Sequence, residues 1–165
     1  MSMLEPSRFL ADTMLGSLAK KLRLLGIDTA YSNDTDASEL KYLARSQGRI
    51  LLTRNLVLAK NMGELAWLVT GYNAREEFLS VANSLSAIDF HIDPFSRCLK
   101  CNNELVLLES SSVREKIPPY VLEAKESFYG CPSCERVYWE GTHRERMKEE
   151  VEWMKVVLQG EGRLD

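Results

Sequence analysis

The sequence predicts an α/β protein: a parallel sheet covered by helices, then a small metal-binding module and a final helix. Three observations carry this reading. Short apolar runs alternate with helix-period segments up to about residue 85. That alternation favours a parallel sheet with helices on its faces. Four cysteines occur as two Cys-x-x-Cys pairs, Cys98/Cys101 and Cys131/Cys134. The last segment carries one apolar stripe, Met147, Val151, Met154 and Leu158, closed by Gly160. Its spacing is helical.

Taken in order, Arg8–Ala11 is a short strand ending at Asp12. Leu15, Leu18, Leu22 and Leu25 then follow helical spacing, and Gly26 is the stop. Lys20, Lys21 and Arg23 fall mostly off that stripe, which predicts a basic exposed face. Ile27–Tyr31 reads as a second strand. Asp36 opens the next helix with Glu39 three positions on, close to a capping box. Leu40, Leu43 and Ala44 form its apolar face, and Gly48 ends it. Arg49–Thr53 is a buried strand and Leu65–Thr70 another. A helix over about 74–85 presents Phe78, Val81 and Leu85.

The character changes near Asp93–Phe95, which divides the chain into residues 1–93, the α/β domain, and 94–165, the cysteine module with the last helix. The stretch between the cysteine pairs contains Ser110–Ser112 and Pro118–Pro119, and reads as hairpins and loops. Val137–Trp139 is a further strand, and Thr142 with Glu145 forms a capping box for the last helix.

Composition bounds the function. The 165 residues are 45% hydrophobic and 27% charged, an ordinary globular mixture. Net charge is −3 and the pI about 5.5, so no global basic grip on nucleic acid is visible. No apolar run approaches the length that spans a bilayer, and the N-terminus does not resemble a signal peptide. A cytoplasmic protein with no membrane contact is expected. In a reducing compartment, two Cys-x-x-Cys pairs with no odd cysteine point to a metal rather than to disulfides. Four thiolates complete a tetrahedral Zn²⁺ shell, which makes the site structural and closed.

A second constellation is acidic. Asp12 follows the first strand and Asn55 the third, and ligands of open α/β sheets bind beyond the carboxyl ends of strands. Asp34, Asp36 and Glu39 follow the second strand and can join them. Such carboxylates suit Mg²⁺ or Mn²⁺ and phosphodiester hydrolysis. Each residue also has a local use: Asp12, Asp36 and Asn55 can each N-cap a helix.

Further residues strengthen one of these readings. Phe9–Gly16 followed by Leu22–Gly26, Ile50–Arg54, Phe95–Cys98 with Cys101, and Cys131-Pro132-x-Cys134 followed by Val137–His143 together resemble the Mut-seven C-terminal ribonuclease-domain family over about residues 8–147. The resemblance implies a PIN-like domain joined to a zinc ribbon, and ribonuclease activity on divalent metal held by acids at the sheet edge. By position it implies Asp12 as the first acid, and Glu39 with Asp36 beside it as the next. The family pattern Thr-Arg-Asp reads Thr53-Arg54-Asn55 here, a neutral residue where an acid is expected.

Three functions are therefore weighed. The first is a metal-dependent ribonuclease with Asp12, Asp36, Glu39 and Asn55 at its centre, and Lys20, Lys21, Arg23, Arg54 and His143 as phosphate contacts. The second is a catalytically weakened module that binds single-stranded RNA, with Tyr138 and Trp139 as stacking candidates. The third is a protein adaptor, whose sign would be an exposed apolar patch along Met147, Val151 and Met154 of the last helix. His91 reads as an ordinary surface or interface histidine.

Overall fold

The computed structural model describes residues 7–160. Four short strands, β1 (Arg8–Ala11), β2 (Thr29–Tyr31), β3 (Arg49–Thr53) and β4 (Ala66–Leu68), form a parallel sheet in the order β2-β1-β3-β4. Phe9 lies level with Thr29 on one side and Ile50 on the other, and Leu51 level with Ala66. Strand alternation sends Phe9, Ala11 and Leu52 to one face, Leu10 and Leu51 to the other. All five are buried, as a parallel sheet covered on both faces requires.

Helices α1 (Gly16–Leu24), α4 (Ala74–Ser86) and α6 (Thr142–Leu158) cover the first face; α2 (Ala37–Ser46) and α3 (Leu56–Met62) cover the second. Phe78, Val81 and Leu85 of α4 are buried as their spacing predicts. Helix α6 returns from the cysteine region to this core and buries Val151, Met154 and Val157. Each such side chain contributes about 1.5–3 kcal/mol. The exposed patch along this stripe that an adaptor would need is absent: Val151 is 2% and Met154 0% exposed. Gly141 occupies the N-cap position, so Thr142 is the first helical residue rather than the cap of the expected box.

Between α4 and α6 lies the smaller sheet, β5 (Val106–Leu108), β6 (Phe128–Gly130) and β7 (Val137–Trp139), antiparallel in that order. A short helix, α5 (Pro119–Ala124), breaks the expected run of hairpins and loops. Pro119 reads as a breaker in sequence, yet it suits a first helical turn, where its missing N–H costs nothing. Val113, Ile117, Val121 and Phe128 pack into a small core of their own.

The junction is fixed by Gly26. At φ +83°, a Cβ there would lie 2.2 Å from the Asp93 carbonyl oxygen, so only glycine lets the chain pass. Asp93 N–H donates to Leu25 O at 3.0 Å and Phe95 N–H to Leu24 O at 3.1 Å. The cysteine region is thereby anchored to the end of α1.

Candidate metal centre and active site

The two cysteine pairs fold alike. Asn102 N–H donates to Cys98 O at 2.8 Å, and Glu135 N–H to Cys131 O at 3.0 Å. The residue after each second cysteine takes a left-handed conformation, φ 68° at Asn102 and 60° at Glu135. Within each turn the second cysteine's N–H points at the first sulfur: Cys101 N to Cys98 Sγ at 3.4 Å, Cys134 N to Cys131 Sγ at 3.5 Å. All four sulfurs lie within 4.8 Å of one another, and Cys98 Sγ is 3.7 Å from Cys134 Sγ. A tetrahedron with Zn–S bonds of 2.3 Å has edges of about 3.8 Å. The cage can therefore hold a metal ion such as zinc.

The electrostatics favour a cation in the cage. Burial pushes the Cys98 thiol up, but hydrogen bonds from the Tyr138 hydroxyl, 3.2 Å away, and from the turn's backbone bring it to about 7. Burial and the neighbouring thiols push Cys101 up to about 12. Four sulfurs this close repel one another's charge, and a divalent ion reverses that balance.

The cysteine cage docks on the amino-terminal edge of the parallel sheet, and Arg23 holds it there. Arg23 is 4% exposed. Its guanidinium donates to Thr29 O at 2.9 Å, Leu99 O at 2.9 Å and Lys100 O at 3.0 Å. Burial lowers its pKa, opposed by Cys98, Cys101 and Asp28. This corrects the expectation of a phosphate contact: the side chain joins the start of β2 to two backbone carbonyls inside the first cysteine turn. Asn102 adds a second tie, accepting from Thr29 N–H at 2.9 Å and donating to Asp28 Oδ1 at 2.7 Å.

Asp12 lies at the opposite, carboxyl-terminal edge. Strands β1 and β3 are neighbours, and the helices that follow them lie on opposite faces. This is the switch point where open α/β sheets bind ligands. Asp12 N–H donates to Leu52 O at 2.9 Å, extending the ladder by one residue. Its carboxylate accepts from Thr53 Oγ1 at 2.6 Å on Oδ2, and from Thr13 N–H at 2.6 Å on Oδ1. Tyr31 pins the same loop, donating its hydroxyl to Thr13 O at 2.9 Å. Leu15, not Asp12, occupies the N-cap position of α1.

Thr53 is the residue that sequence reading missed. It is fully buried, donates to Asp12 and accepts from Asn55 N–H at 3.1 Å, joining the two loops through one hydroxyl. A threonine in an otherwise apolar buried strand was the available signal, because a buried hydroxyl needs partners. Asn55 Oδ1 caps α3, accepting from Leu58 N–H at 3.1 Å. Asp36 likewise caps α2, accepting from Glu39 N–H at 2.8 Å. Asp34, Asp36 and Glu39 are exposed. Among the described residues, the four cysteines form the group of three or more Cys, His, Asp or Glu that could hold a metal; Asp12, Asp36 and Glu39 are not drawn into another.

The remaining basic residues divide. Lys20 is exposed. Lys21 pairs with Glu150, which also holds Arg75 at 2.7 Å, so this lysine ties α1 to α6. Arg54 pairs at 2.9 Å with Glu77 of α4, a carboxylate only 7% exposed that sequence reading did not single out. His91 and His143 are exposed.

Residues 7–151 match the Mut7-C RNAse domain. The chain is 29% identical over 116 residues to the human protein named Exonuclease mut-7 homolog. That alignment covers 67% of this chain and 13% of the human protein. No solved structure matches the chain. No helix among the described residues is long and apolar enough to cross a membrane. With the family match spanning most of its length, the chain belongs to the Mut7-C RNAse domain family.

Proposed function

We propose that this protein is a divalent-metal-dependent ribonuclease that cleaves RNA phosphodiesters at the carboxyl edge of its parallel sheet. The observation that supports this most is Asp12: a carboxylate at the β1/β3 switch point, oriented by Thr53 and Thr13. Oδ1 accepts from both the N–H and the hydroxyl of Thr13, while Oδ2 accepts from Thr53 alone and keeps acceptor capacity. A single Mg²⁺ or Mn²⁺ fits this donor set, because such ions are often held by one or two carboxylates and completed by water and substrate phosphate. When bound, the ion would neutralise phosphate charge and lower the pKa of a coordinated water. Asp12 supplies the anionic ligand, Thr53 fixes its rotamer, and Asn55 offers a neutral oxygen from the adjoining loop. Asp36 and Glu39, exposed at the start of α2, stand within this reading as further acidic ligands. Lys20 and Arg54, the latter beside its Glu77 partner, guide the phosphates, and His143 offers a donor from the cysteine region at the first turn of α6.

Asn55 favours a second reading, a weakened nuclease that binds RNA. Its side-chain oxygen is engaged in capping α3 and brings no charge. In either reading the cysteine cage carries structural zinc, and metal-bound thiolates suit a reducing, cytoplasmic setting.

The deciding experiment is cleavage and binding of a short labelled single-stranded RNA, with and without Mn²⁺, for wild type and Asp12→Asn. Metal-dependent cleavage that falls at least about a hundredfold in the variant supports the ribonuclease. Binding without cleavage supports the second reading. Neither binding nor cleavage would sink both.

A further inference from the structure

A cavity of about 790 Å³ lies among the small sheet, α5 and the first turn of α6, in the size range of small-ligand sites. Trp139, Tyr129 and Tyr120 bring aromatic rings to its wall, and Arg144, Lys125 and His143 bring cationic or donor groups. Arg144 is the telling residue. Its guanidinium rests on the Phe95 ring, 4.4 Å from the centroid. Its Nε is buried without a hydrogen-bond partner, and the nearest carboxylate oxygen, on Glu140, is 3.9 Å away. Lys125 Nζ, the His143 ring and the Trp139 indole N–H, on half-buried or exposed residues, pair with no group among the described residues and stand ready to donate.

A buried donor without an acceptor is costly, and its usual explanation is a ligand or water. The missing partner must be an acceptor, because a guanidinium and an ammonium only donate. It must also tolerate flat aromatic walls. A nucleotide joins a flat π-face to an anionic acceptor of this kind, and the reading of this chain as RNA-directed favours it. Guanidinium groups bind phosphate well, and aromatic rings stack on bases regardless of sequence.

We propose that this cavity holds one unpaired nucleotide of a single-stranded RNA, its base against Trp139, Tyr129 or Tyr120 and its phosphate on Arg144 and Lys125. The inference rests on the reading of this chain as an RNA-directed protein. It adds an anchoring site in the cysteine region, built on residues separate from the Asp12 edge.

The test uses the zinc-loaded full chain and follows tryptophan fluorescence as adenosine or uridine 5′-monophosphate is added. Both quench the signal, inorganic phosphate competes at least about tenfold more weakly than the mononucleotide because it lacks the base that stacks, and a short single-stranded RNA displaces the mononucleotide while a duplex of the same sequence does not. Tyr120→Ala and Lys125→Glu each weaken binding about tenfold or more. Tyr120 is 73% exposed, so its removal leaves the fold intact, checked by zinc content and circular dichroism. Flat mononucleotide titrations overturn the proposal, as does equal affinity in both variants or failure of the strand to compete. Metal-dependent RNA cleavage alongside flat titrations overturns the cavity site alone. Nucleotide and strand binding lost in Lys125→Glu, with no cleavage at any metal concentration, overturns the nuclease reading alone.

Discussion

The two edges of the parallel sheet are built in opposite ways. At the amino edge sits a complete cage: four sulfurs within 4.8 Å, braced by Arg23 and Asn102. At the carboxyl edge sits one oriented carboxylate, Asp12, among residues with local duties: Asp36 and Asn55 cap helices. The cage is assembled from two tight turns, each of which sets its own pair of ligands. The carboxyl edge depends on loops from different strands, and their convergence is a property of the whole sheet. The four-sulfur site therefore stands complete in the protein alone, whereas the carboxyl edge presents one oriented carboxylate.

The largest effect should come from breaking the cage. Cys131→Ser, or chelation, is expected to remove the metal and lower unfolding free energy by on the order of 5 kcal/mol or more, since small metal sites couple binding to folding. Metal stoichiometry and denaturant unfolding check this; a variant that keeps full zinc would end the four-sulfur assignment.

Next comes the brace. Arg23→Met takes the guanidinium donors from the Thr29, Leu99 and Lys100 carbonyls and is expected to cost about 2–4 kcal/mol. Its RNA affinity should stay within twofold of wild type, because the guanidinium does not reach solvent. A large affinity loss with unchanged stability would restore Arg23 as a phosphate contact.

Thr53→Val tests the open edge. Losing the hydroxyl shared by Asp12 and Asn55 is expected to cost about 1–2 kcal/mol and to weaken Mn²⁺ binding several-fold. Calorimetry that shows unchanged Mn²⁺ affinity would mean that the Asp12 rotamer does not matter.

Acid should loosen the amino edge. Burial pushes the Asp28 carboxyl up, but hydrogen bonds from Arg49 and Asn102 outweigh it and hold its pKa below the ordinary 3.8. The contribution of a depressed carboxyl is present above its unfolded pKa and is lost as pH falls through the folded one. Unfolding measured below about pH 4 should therefore show a stability loss that Asp28→Asn flattens. The same slope in the variant would rule Asp28 out.

The smallest change is Asn55→Asp. Aspartate keeps the α3 cap, so stability should move by less than about 0.5 kcal/mol while Mn²⁺ affinity rises. No rise would mean that position 55 does not face the metal.

The sequence by itself determined a good deal. Short apolar runs set the sheet and the 3.6-residue period set the main helices on its faces, because a strand covered on both faces is apolar throughout while a helix buries one stripe. Cys-x-x-Cys spacing determined the cage, because both ligands of each pair belong to one turn. Helix α5 escaped, since Pro118–Pro119 marks a loop and a helix start equally well. Only the tertiary structure decided that Arg23 serves the cage rather than a phosphate, that Lys21 and Arg54 are paired, and that α6 closes the main core. Each of those outcomes rests on a partner dozens of residues away. The Thr53 link between Asp12 and Asn55 was beyond local reading for the same reason: it exists because two strands lie side by side.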